Sequence, residues 1–204
     1  MATEAKSRGG RPWSFDRDAA VETALRLFWR HGYEGVSIGD LTQAIGIAPP
    51  SLYAAFGSKA GLYREAIDRY EQSFGPCDAP TADAAASLAE AVRLLLENAA
   101  DAVVHPARER GCLISSGMVA CHPDHAPLAR ETAVRRDRMR DRIAQTLRPL
   151  AGSHDLPRMA RHLAAVMQGM SIQARDGATR AELQDIVDET VSGLAARSRA
   201  ERKS

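Results

Sequence analysis

Cys121, His122 and His125 fall in one short run, and their sulfur and nitrogen atoms are zinc-ligand types. Pro123 breaks the helix that would have to carry all three, and no fourth ligand follows nearby. The run therefore reads as the cap of a surface helix, with no metal implied. Cys112 and Cys121 offer thiol chemistry, yet no flanking feature marks either as an activated thiolate. The histidines and acids are scattered, and His162 on an apolar stretch reads as packing or pocket polarity. A glycine-rich phosphate loop, a nucleophile elbow and a paired-carboxylate arrangement are all missing from the sequence, which argues against an enzyme. A different chemistry is offered by Ile38–Ile45, Gly46 and Pro49–Phe56, which read as helix, tight turn, helix. Pro49, Pro50, Ser51, Ala54 and Ala55 are small and outward-facing, so that backbone can approach bases and phosphates. Tyr53 and Lys59 can each donate to a phosphate oxygen.

The elements that position this ridge are helical. Alanine supplies 37 residues against 26 for Val, Ile and Thr together, a balance that favours helix over sheet. The formal net charge of +1 excludes a uniformly basic scaffold but leaves room for one basic face. Three cysteines without a close pair imply a reduced, cytoplasmic protein, and no run approaches a membrane-spanning length or a secretory signal. Residues 1–12 form a basic arm with Lys6, Arg8 and Arg11. A first helix over 16–31 carries Ala20, Val21, Ala24, Leu25, Leu27 and Phe28 as one stripe and stops at Gly32. Ser37 and Asp40 have capping-box spacing, Gly46 ends the second helix, and Pro49 and Pro50 start the third. Ser58 caps a fourth helix reaching about Phe74. Later helices are expected over 82–104, 112–120, 124–148, 156–175 and 180–197. The cluster Arg135, Arg136, Arg138, Arg140 and Arg142, interrupted by Asp137 and Asp141, reads as a solvated helix face with local ion pairs.

Residues 21–67 resemble the DNA-binding domain of the TetR family of bacterial transcriptional regulators. The resemblance rests on Ala24 through Phe28, His31-Gly32-Tyr33, Gly35-Val36-Ser37-Ile38 and Leu41 with Ile45-Gly46-Ile47. It continues through Ser51-Leu52-Tyr53, Phe56, Ser58-Lys59 and Leu62. It implies an all-α homodimer with a three-helix helix-turn-helix domain over 13–58 and a helical effector-binding and dimerisation domain over 59–199. The implied partners are a palindromic double-stranded operator and a small-molecule effector, with no cofactor. Carried over by position, the recognition helix spans Pro49–Phe56, with Pro49, Pro50, Ser51 and Ala54 as base-reading candidates. Tyr53 and Lys59 fall at phosphate-backbone positions, and Ser37 and Thr42 near the bracing helix. Ala48 stands where many members have Ser or Thr, Thr42 replaces a common alanine, and Ala54 replaces a larger polar residue. The recognition helix has no Arg, Asn or Gln for bidentate base contacts. Discrimination is then left to methyl contacts, Ser51, helix N-terminal amides and duplex shape.

Within this reading the last two long helices are the dimer candidates. Leu156, Met159, Leu163, Val166 and Met170 recur at helical spacing on one, and Leu183, Ile186, Val187, Thr190, Val191 and Leu194 on the other. The effector pocket is expected among Leu88, Val92, Leu95, Leu96, Cys112, Met118, Cys121, Met139, Ile143, Met167 and Gln168, an apolar lining with few polar handles. The function expected is a repressor released from its operator by a small apolar or weakly polar effector. The alternatives are a thiol-based redox-responsive regulator, a helical enzyme, and a structural helical dimer whose reading head has lost specificity.

Overall fold

The computed structural model describes residues 15–74, 85–152 and 154–201, with side chains through residue 196. Among the described residues nine α-helices follow one another without a strand: α1 (Arg17–His31), α2 (Ile38–Ile45), α3 (Pro49–Phe56), α4 (Lys59–Phe74), α5 (Leu88–Val103), α6 (Leu113–Ser116), α7 (Ala126–Leu147), α8 (Leu156–Arg175) and α9 (Arg180–Glu201). None is long and apolar enough to cross a membrane. The basic arm lies outside the described residues.

The head is assembled by local signals that agree with one another. Asp16 caps α1, its carboxylate accepting from the backbone N–H of Asp18 at 2.9 Å and of Ala19 at 3.0 Å. Ser37 and Asp40 form a reciprocal capping box on α2: the Asp40 N–H donates to Ser37 Oγ at 3.1 Å, and the Ser37 N–H donates to Asp40 Oδ2 at 2.7 Å. Gly46 ends α2 at φ 79°, a left-handed conformation that lets the chain reverse into α3 within three residues. Leu25, Phe28, Leu41, Leu52, Leu62 and Tyr63 are then fully buried between α1, α2, α3 and α4. Phe28 and Tyr63 meet edge-to-face at 5.0 Å, a geometry that adds to the burial itself.

A second core is built from α5, α7, α8 and α9 around Val92, Leu96, Leu147, Leu163, Met170, Leu183 and Val187. The two cores are not separated cleanly near residue 58. Tyr63, Ile67 and Tyr70 on α4, together with Leu113, Ile114, Met118 and Leu128, pack into the first core, while Cys112 touches both. Two expected helices come out shorter. Residues 85–87 precede α5 outside the helix, with Ser87 capping it, and the helix expected over 112–120 is only the single turn α6. Ion pairs brace the head against the body. Arg64 holds Glu131 through two bonds at 2.6 and 2.8 Å, and Arg135 on α7 joins both Asp68 and Glu71 on α4.

Candidate nucleic-acid interface and ligand cavity

The ridge α3 is anchored by Leu52 and Phe56, which are buried, and presents its opposite side to solvent. Pro49, Pro50, Tyr53 and Ala54 are exposed, Tyr53 by 49%, and Ser51 is half-buried. Arg17 lies over the Phe56 ring at 4.8 Å and pairs with Glu65 at 2.6 Å, pinning the end of the ridge to α1 and α4. Ala48 supplies no side-chain cap. The missing cap is made good by the backbone: the N–H groups of Ser51 and Leu52 both donate to the Ala48 carbonyl, at 2.9 and 3.3 Å, and the two prolines have no N–H to orphan. The first turn therefore offers no free amide, which corrects the expectation that helix N-terminal amides take part in reading DNA.

The remaining interface candidates divide by exposure. Ser37 is exposed, but its hydroxyl donates to Asp40 Oδ2 at 2.7 Å, and that bond leads the capping-box contacts in holding the carboxyl of Asp40 below its usual range. Thr42 is buried, and its hydroxyl donates to the carbonyls of Ile38 at 2.9 Å and Gly39 at 3.1 Å. It braces α2 from within, whereas its neighbour Gln43 faces solvent. Gln43 lies outside the apolar stripe Ile38–Leu41–Ile45 by which the sequence declares this helix. Lys59 is half-buried with its ammonium 4.1 Å from the centre of the Tyr33 ring. Burial lowers its pKa, opposed by the nearby carboxylates of Glu34 and Asp40.

Behind the ridge, His125 Nδ1 lies 2.7 Å from Glu34 Oε1, and the His122 N–H donates to the same oxygen at 3.0 Å. The His125 bond, followed by that from His122, holds Glu34 below the usual carboxylate range. These histidines thus tie the α1–α2 loop to the start of α7. Among the described residues no group of three or more His, Cys, Asp or Glu is placed to hold a metal ion. Cys112 and Cys121 are half-buried free thiols, and Cys112 Sγ accepts from the Ser115 N–H at the start of α6. Cys77 lies outside the described residues.

A cavity of about 480 Å³ opens where head and body meet. Trp29 from α1 and Tyr70 and Phe74 from α4 form an aromatic wall. Met139, Met167 and Cys112 were expected there and are present. The others are placed elsewhere: Val92, Leu95, Leu96 and Ile143 fill the second core with Leu88 at its margin, Met118 and Cys121 pack on the first, and Gln168 is half-buried outside the lining. The expectation of few polar handles is corrected as well, since Glu71, Asn98, Arg108, Arg135 and Arg142 all line the space. The arginine run on α7 is not one solvated face. Arg135 points to α4, and Arg136 donates to the carbonyls of Ile114 and Gly117 at 3.0 and 2.8 Å, where burial lowers its pKa.

The proposed dimer residues also split. Leu163, Met170, Leu183, Val187, Val191 and Leu194 are buried in the protomer's own core, while Leu156, Met159, Val166, Ile186 and Thr190 are half-buried at its edge. The outer stripe of α8 is instead His162, Ala165, Gly169 and Ile172, all exposed.

A reading ridge with no core contact on its outer side, carried by a head wired to a cavity-bearing body, is the construction of an all-α helix-turn-helix regulator. Comparison with known proteins makes this specific. Residues 20–66 match the family described as bacterial regulatory proteins, tetR family. The HTH-type transcriptional repressor ComR of Escherichia coli strain K12 is 35% identical over 209 residues, covering 94% of this chain and 96% of that protein. The repressor BdcR of the same strain is 33% identical over 182 residues, covering 87% and 88%. A cysteine-substituted form of the TetR family transcriptional regulator CifR, solved with a 26-bp double-strand operator DNA, superposes with a TM-score of 0.80. It is 35% identical and covers 89% of this chain and 98% of that one. The chain belongs to the TetR family of bacterial regulatory proteins.

Proposed function

We propose that the protein is a transcriptional repressor that grips a palindromic operator as a homodimer and lets go when a small molecule enters the cavity between head and body. The observation that carries this reading is the exposed ridge of α3, with Tyr53 half out in solvent and Leu52 and Phe56 fixing the helix from behind. Two relatives that match along most of their length are repressors, and the similar CifR was solved on operator DNA, which supports the same role here. Each protomer places one ridge in a major groove, so half-sites stand one helical turn, about 34–36 Å, apart. Base reading falls to Pro49, Pro50, Ser51 and Ala54 through methyl contacts, the Ser51 hydroxyl and duplex shape, with Tyr53 and Lys59 on phosphates.

Release follows from the position of the cavity. Its wall includes Trp29 of α1 and Tyr70 and Phe74 of α4, so an apolar-bodied effector presses directly on two helices of the head. Selection of genomic fragments with purified protein, followed by footprinting, tests the reading. Recovery of one palindrome at single-turn spacing is the expected result. Equal affinity for scrambled duplexes would falsify it.

A further inference from the structure

We infer that the cavity between head and body takes an organic anion, a carboxylate on a flat aromatic body; this rests on the reading of that cavity as the effector site. The apolar half is set by three rings. Trp29 stands edge-to-face to Tyr70 at 4.8 Å and tilted to Phe74 at 5.4 Å, so the rings form a wall against which a planar body can stack. Met139 and Met167 face the same space with flexible, polarisable side chains that adjust to its outline.

The charged half is unbalanced. Among the described residues Glu71 is the one carboxylate in the lining, and it is already engaged by Arg135, which also holds Asp68. Arg108 and Arg142 have no carboxylate within ion-pair distance among the described residues. Arg108 lies over the Phe74 ring at 4.6 Å, so its guanidinium is stationed at the aromatic wall itself. Two uncompensated guanidinium groups beside an apolar surface complement a carboxylate, which accepts paired N–H bonds from such a fork. A neutral ligand leaves those donors to water, and a cation meets net repulsion.

The test compares 2-naphthoate with 2-naphthamide, which share a body and differ in charge. Calorimetry gives affinities, and fluorescence in a Trp13→Phe background reports contact with Trp29. The carboxylate is expected to bind at least about ten-fold more tightly and to perturb Trp29 emission. In Arg108→Gln/Arg142→Gln the preference falls to within about two-fold, while Arg108→Lys/Arg142→Lys retains part of it. Should the double variant melt early, the single Arg142→Gln variant carries the comparison. Equal affinity of the two probes, binding of neither, or a preference that survives the glutamine variants overturns the inference. Operator binding by the unliganded protein, measured on the same preparations, reports the DNA-binding reading separately.

Discussion

The Tyr63 side chain is fully buried, and its hydroxyl makes no full hydrogen bond among the described residues, only a weak polar contact with Thr132. Burial pushes its pKa from 10.0 up to about 12. Because the folded value lies above the unfolded one, the stabilisation this represents is present in full below pH 10. It is lost as pH rises from 10 to about 12, an amount on the order of 2–3 kcal/mol. Tyr63→Phe removes a polar atom that makes no full hydrogen bond, so stability at pH 7 should stay within about 1 kcal/mol of the parent. The difference between the two proteins should then widen above pH 10 in favour of phenylalanine. Urea midpoints at neutral and alkaline pH check this, and a neutral-pH loss above about 2 kcal/mol would contradict so weakly held a hydroxyl. Tyr53 is the opposite case, a tyrosine left in solvent where its hydroxyl can meet phosphate. Tyr53→Phe should weaken operator and non-operator binding alike with no change in salt dependence, since no charge is removed. Lys59→Gln should instead flatten the slope of log K against log salt by about one. Binding isotherms at several salt concentrations separate the two.

At the scale of elements, what could be read from sequence was whatever depends on neighbours in sequence. The Ser37–Asp40 box, the Gly46 reversal and the two prolines opening α3 all involve residues within a turn of each other, and the spacing alone declares them. The cavity is different. Trp29 is only 3% exposed and reads as core, yet its ring also walls the cavity because the segment after α5 closes over it. Stripes such as Val92–Leu96 mark a buried face without saying whether space is left beside it. The element that makes this junction is the bend at Gly111. Its carbonyl accepts from Trp29 Nε1 at 3.0 Å, the next N–H, of Cys112, donates to Ser171 Oγ at 2.8 Å, and Arg175 donates to the Trp29 carbonyl at 2.5 Å. Gly111 has φ 80°, and a Cβ there would sit 2.9 Å from the Ser171 carbonyl and from Arg175 Cγ and Nε. Gly111→Ala therefore combines left-handed strain with overpacking, and should cost about 2–4 kcal/mol in urea unfolding. A change below about 1 kcal/mol would remove this bend as the rigid joint between α1 and α8.

For the whole molecule the question is how two heads are held at a fixed distance. The periodic apolar residues of α8 and α9 satisfy the protomer first, because Leu163, Met170, Leu183 and Val187 have no surface left to offer. Their exposed neighbours include His162, Ala165, Gly169 and Ile172 on α8 and Asp185, Glu189, Ser192 and Ala196 on α9, stripes that we propose meet a partner. Ile172 is 47% exposed, and a Cβ added at Gly169 meets nothing within 4 Å, so this stripe is both apolar at one point and low enough for a second helix to approach closely. Gly169→Arg exploits that geometry. Within the protomer position 169 is exposed and an added Cβ meets nothing, and the substitution replaces a poor helix former, which should hold or raise protomer stability by up to about 1 kcal/mol. Across the proposed interface it inserts a long cation where backbones should nearly touch. The expected result is a mass by sedimentation near the 22.0 kDa of one chain in place of twice that value. Operator affinity should fall by about 10²–10⁴ as the second head loses its tether, while weak non-specific binding persists. A variant that stays dimeric with unchanged operator affinity would move the interface off the centre of α8 and require a different spacing of the two ridges.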